Sequence, residues 1–82
     1  MSIEQEVARS AALVVSAALR DDDVSVGLIL RTLPTETAAE VCVASVTALA
    51  EILHHHIPAD AIRAGITEAQ RLAHEAATGR NL

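Results

Sequence analysis

The sequence predicts an all-α fold, a small bundle of about four helices, and three observations lead to this prediction. Apolar residues recur at helical spacing through most of the 82 residues, and 51% of all residues are hydrophobic. Short breaks with capping or turn residues interrupt the pattern at 21–23, at 34 and at 57–58. Only one segment alternates like a strand, and the chain has no second such segment to pair with it.

The first helix is predicted over about residues 3–20. Ser2 and Gln5 have the spacing of a capping box, in which each side chain accepts a hydrogen bond from the other residue's backbone N–H. The apolar positions form one broad stripe, whereas Leu13 lies between polar positions. Single exposed leucines are common on protein surfaces, but its place on the polar side makes Leu13 a candidate contact with a partner.

Residues 21–23 are three aspartates, which suit the end of one helix and the N-terminus of the next. The following segment, 24–33, fits both an alternating strand and one face of a helix. We predict a second helix over about 23–33, with a strand paired across a dimer as the alternative. Gly27 in its middle is expected to allow a close approach of the next helix.

The longest apolar stretch, 38–53, predicts a central helix over about 36–55 with Thr35 as its N-cap. Its apolar positions cover more than half of the helical circumference, and a narrow acidic stripe occupies the remainder. We therefore expect neighbours to contact this helix from several sides. The residues predicted to make contacts with a partner, besides Leu13, are Val41, Ser45, Leu49 and Ile52.

The last helix is predicted over about 59–78, and its apolar side consists mostly of small residues that should pack close to whatever they cover. On its polar side, Glu68, Arg71 and Glu75 have the spacing of helical ion pairs. No linker divides the chain, which predicts a single domain over 1–82. Because aromatic content is 0%, the core must be small, and we expect homodimerisation to complete or stabilise the bundle.

The composition is acidic, with a net charge of -5 at pH 7 and a pI of about 5.1. All six basic residues are arginines scattered along the chain, which argues against direct binding to nucleic acid or to an anionic membrane. The longest uncharged run of the central stretch, 41–50, is shorter than the about 20 residues that span a bilayer. A single cysteine and an acidic N-terminus predict a cytoplasmic protein.

Residues 54–56 are three histidines, and Glu51 with His54 has the Glu-x-x-His spacing of di-iron helical bundles. Successive side chains on a helix point about 100° apart, so the three imidazoles do not converge on one ion. A metal site using Glu51 and His54 would need a second copy of the chain, and it is the alternative to our prediction of no metal and no cofactor. Cys42 lies about three turns before the histidines, too far for a Cys–His pair in one chain, so we predict a protein that is not an enzyme.

Two resemblances bear on the role of the chain. Its length and acidity resemble those of acyl carrier proteins, which carry phosphopantetheine on a serine that directly follows an aspartate. The best match is Ser25 in Asp23-Val24-Ser25-Val26, where the aspartate is displaced by one residue. The abundance of alanine and the absence of lysine resemble small helical proteins of high-GC actinobacteria and their phages. The leading prediction is a protein–protein interaction module, such as a regulator that binds a bacterial target protein; the acyl carrier function is the least favoured alternative.

Overall fold

The computed structural model describes residues 2–79, and these residues form four α-helices and no strand. The all-α prediction is confirmed, and every helix boundary lies within two residues of its predicted position. The alternative of a strand in the segment 24–33 is wrong, because these residues lie in the second helix and the turn after it. The helices are α1 (Ile3–Leu19), α2 (Asp23–Arg31), α3 (Thr35–His56) and α4 (Ala59–Thr78).

The backbone contacts divide the chain into two compact units, with the boundary between Ile52 and Leu53. The first unit contains α1, α2 and all but the last turn of α3. The second unit contains that last turn and α4. The single domain over 1–82 and the homodimer both stay predictions.

The core of the first unit is small and aliphatic. Ala11 and Val14 of α1 form a buried cluster with Val41 of α3, whose exposed fraction is 0%. Val15 and Ala17 of α1 are buried as well. Because no aromatic side chain is available to fill space, the helices depend on aliphatic contacts alone. Partly buried aliphatic residues surround the cluster: Val7, Val26, Ile29, Leu30, Leu33 and Ala44.

The predicted capping box at the start of α1 is confirmed. The backbone N–H of Gln5 donates to Oγ of Ser2 at 3.1 Å, and the backbone N–H of Ser2 donates to Oε1 of Gln5 at 3.0 Å. Glu4 and Glu6 lie in the same first turn, where negative charge is favoured by the helix dipole. The first turn of α1 is therefore closed by its own side chains.

The aspartates that follow α1 make a tight corner. Asp21 adopts a left-handed backbone conformation, with φ of 63°. Its N–H donates to the carbonyl of Ala18 at 3.0 Å, and the N–H of Asp22 donates to the carbonyl of Ala17 at 2.9 Å. This pair of hydrogen bonds is the Schellman pattern, which satisfies carbonyls that the last helical turn would otherwise leave without partners. Asp is one of the few residues other than Gly that occupies this conformation readily.

Asp22 is the N-cap of α2, as the aspartate run predicts. Its carboxylate accepts hydrogen bonds from the backbone N–H of Ser25 at 3.1 Å and from Oγ of Ser25 at 2.6 Å. Both bonds lower the pKa of Asp22 below its ordinary value of 3.8, and the bond from the hydroxyl of Ser25 has the larger effect.

Gly27 does not provide the close approach to α3 that was predicted for it. The nearest atoms that a Cβ at this position would meet belong to the guanidinium of Arg31, which lies on α2 itself.

Replacing Asp22 by Ala should lower the thermal midpoint at about pH 6 and have a smaller effect at about pH 3. The folded state holds the pKa of Asp22 below that of the unfolded chain. Its contribution to stability is therefore fully present above pH 3.8, the ordinary pKa, and is lost as the pH falls through the folded-state value. Thermal unfolding followed by circular dichroism measures the difference between wild type and variant at each pH.

The matched control for this measurement is Asp22→Asn. Asn keeps an oxygen that can accept the N–H of Ser25 but does not titrate, so its midpoint should lie between those of wild type and Asp22→Ala at about pH 6. A wild-type advantage over Asp22→Ala that is equally large at both pH values would contradict the capping role of the ionised carboxylate.

The later helices begin at prolines. α3 begins at Thr35 and not one residue later as predicted, because the N–H of Ala38 donates to the carbonyl of Pro34 at 2.8 Å. α4 begins after Pro58, whose carbonyl accepts the N–H of Ile62 at 3.0 Å. Proline suits these positions because it disfavours helix in the residue before it and has no N–H to leave unpaired.

α4 carries the predicted ion pairs on its polar side. Arg71 donates from its guanidinium to the carboxylates of Glu68 and Glu75. These contacts raise the pKa of Arg71, and the contact with Glu68 has the larger effect. The same contact lowers the pKa of Glu68. The apolar side of α4 includes Ile66 and Leu72, which are 52% and 53% exposed, and no described residue of this helix is buried.

Candidate interaction surface

One side of α3 belongs to the core of the first unit. Val41 is fully buried, and Ser45, one turn further along, is only 6% exposed. Oγ of Ser45 donates to the carbonyl of Val41 at 2.6 Å, so the buried hydroxyl has its partner within the helix. The structure therefore places two of the predicted contact residues, Val41 and Ser45, in the interior of the first unit.

The opposite side of α3 is apolar and exposed. Val43 and Val46 are each 69% exposed, and Ala39 and Ala50 continue the same line of side chains. Val43 lies about 200° around the helix axis from Val41, so the exposed line is opposite the core. We call this line the outer stripe and define it as Ala39, Val43, Val46 and Ala50. Its residues follow one another at intervals of four, three and four positions, and the same spacing continues in the sequence to Leu53.

The spacing of the outer stripe is that of a coiled-coil seam. Alternating intervals of four and three place apolar side chains on one narrow line that can face another helix along its length. The flanking positions on one edge are Glu40 and Thr47, and Cys42 lies on the other edge with its side chain exposed. A line of aliphatic residues with polar neighbours matches the centre and the rim of a protein interface.

The remaining predicted contact residues are dispersed. Leu49 and Ile52 are half-buried on α3, and Leu13 on α1 is 49% exposed. Ile52 lines a shallow apolar groove between α1 and α3, together with Ala12, Val15, Leu19 and Ala48, and with Ser16 and Arg20 at its polar edge. Arg20 donates from Nη1 to Oγ of Ser16 at 2.6 Å, which holds the only cation of this groove against its own helix.

Ser25, the residue that the resemblance to acyl carrier proteins singles out, is half-buried in the first turn of α2. Its hydroxyl donates to the carboxylate of Asp22, and its backbone N–H is bound by the same carboxylate. A serine so placed contributes to the N-terminal cap of a helix.

The metal candidates Glu51 and His54 are both exposed on α3. Residues 2–79 contain no group of three or more His, Cys, Asp or Glu side chains arranged to hold a metal ion. The three histidines instead form the C-terminal turn of α3, and the rings of His55 and His56 meet edge to face with centroids 4.9 Å apart. Imidazoles at this end of a helix are well placed to donate hydrogen bonds to its last carbonyls.

No family model, curated protein or solved structure matches the chain. The resemblances in composition and in acidity therefore stay predictions.

By length and composition alone, α3 is long and apolar enough to cross a membrane. Residues 2–79 contain no other such helix. Core helices of soluble proteins, which are mostly buried, and signal sequences meet the same criterion, and 11% of the apolar window of α3 is buried.

The outer stripe is the feature that the sequence analysis missed. The predicted apolar arc of α3 combined Val41 and Val43 on one surface, although they belong to opposite sides of the helix. The alternation of four- and three-residue intervals from Ala39 to Ala50 was the signal that could have separated them. Of the five predicted contact residues, only Leu13 is freely exposed.

Proposed function

We propose that the chain is a small helical protein–protein interaction module without a catalytic centre, and that the outer stripe of α3 is its docking surface. The observation that carries this proposal is the exposure of Val43 and Val46, 69% each, directly opposite the core side of the same helix. Full burial of one such side chain is worth about 1.5 to 3 kcal/mol. Burial of Val43 and Val46 in an interface would therefore favour association substantially.

The surroundings of the stripe also favour docking of a helix. Ala39 and Ala50 at its ends have small side chains, which let another helix approach closely. Val43 and Ala39 line a shallow depression with Glu40 and Ala44 that a side chain of a partner can enter. Polar groups at the edges remain in contact with water when the apolar centre is covered, which limits the desolvation cost of binding.

The placement of the hydroxyl groups supports a role without catalysis. The hydroxyl of Ser25 donates a short hydrogen bond to the carboxylate of the N-cap residue Asp22, and the hydroxyl of Ser45 donates one to the carbonyl of Val41. A nucleophilic serine needs an adjacent general base oriented by a third group, and neither serine has that arrangement. Both are better explained as a cap and as a satisfied core residue.

The test compares two double variants of exposed aliphatic pairs. Val43→Ser with Val46→Ser removes the apolar character of the outer stripe. Val24→Ser with Leu28→Ser is the matched control, since these side chains on α2 are 65% and 53% exposed and also lie on one helix. We expect the stripe variant to lose at least about tenfold in association, both with itself and with proteins captured from an actinobacterial lysate, which corresponds to about 1.4 kcal/mol.

The control variant should associate like the wild type, and both variants should unfold cooperatively, because substitutions at exposed positions change stability little. Light scattering over a concentration series reports self-association, and quantitative affinity capture reports other partners. If the stripe variant and the control behave alike in both measurements, the outer stripe is not the docking surface.

A further inference from the structure

We draw no further inference here: the strongest candidate, the shallow apolar groove between α1 and α3 with Ser16 and Arg20 at its polar edge, carries nothing because no feature of the described residues shows what covers it.

Discussion

Replacing Val41 by Asp is expected to abolish the cooperative thermal transition of the first unit. The side chain of Val41 has an exposed fraction of 0% and is packed against Ala11 and Val14. A carboxylate at this position loses its hydration without gaining a cationic partner, at a cost of several kcal/mol, which is a large share of the about 5 to 15 kcal/mol that typically stabilises a domain. Circular dichroism at 222 nm as a function of temperature is the measurement, and we expect the loss of a sigmoidal transition.

The chain supplies a matched control two residues away. Val43→Asp makes the same substitution in the same helix, but the side chain is 69% exposed and its carboxylate stays hydrated. Its effect on the free energy of unfolding of the single chain should be within about 1 kcal/mol. Equal destabilisation by the two variants would show that α3 does not turn Val41 toward the core, and the outer stripe would then lose its basis.

Replacing Ala17 by Leu should destabilise the chain by about 1 to 3 kcal/mol, the second largest effect that we expect from a single substitution. Ala17 is 1% exposed, so three additional carbon atoms have no space without displacement of neighbouring side chains or backbone. Its carbonyl also accepts the N–H of Asp22 at 2.9 Å, which couples the position to the corner after α1. Urea unfolding gives the change in free energy from the shift of the midpoint at constant slope.

Ala18→Leu is the control for this prediction, because Ala18 is the next residue of α1 and is exposed. Leu and Ala both favour helix, so this variant should differ from the wild type by less than about 0.5 kcal/mol. If Ala17→Leu were as stable as Ala18→Leu, the C-terminal part of α1 would be packed more loosely than its burial indicates.

Local features of the fold could be predicted from the sequence because they depend on residues close together in the chain. The capping box of Ser2 and Gln5 and the N-cap at Asp22 are examples, since both follow from side chains that reach a nearby backbone N–H. The helical state of α2 could also be predicted, because a lone strand has nothing to pair with. α2 ends at Arg31, two residues earlier than predicted, and Oγ1 of the C-cap residue Thr32 donates to the carbonyl of Ile29 at 2.9 Å.

The assignment of the two sides of α3 could not be predicted in the same way. Val41 and Val43 are chemically identical, and a helix that is apolar over more than half of its circumference does not indicate which part meets its neighbours. Which side of α3 is buried depends on how much of its surface the neighbouring helices can cover. α2 has only nine residues, and the buried residues of α3 within its 22 are Val41 and Ser45. The prediction of contacts from several sides assumed neighbours that would cover more of the helix.

The corner at Asp21 and Asp22 also bears on the rate of folding. It joins α1 to α2 through only three residues that are not helical, Arg20 to Asp22, so the two helices are close in sequence as well as in space. Contacts between such near neighbours need little loop closure and form early, whereas contacts distant in sequence form more slowly. The α1–α2 hairpin is thus suited to act as the folding nucleus onto which Val41 and the rest of α3 subsequently pack.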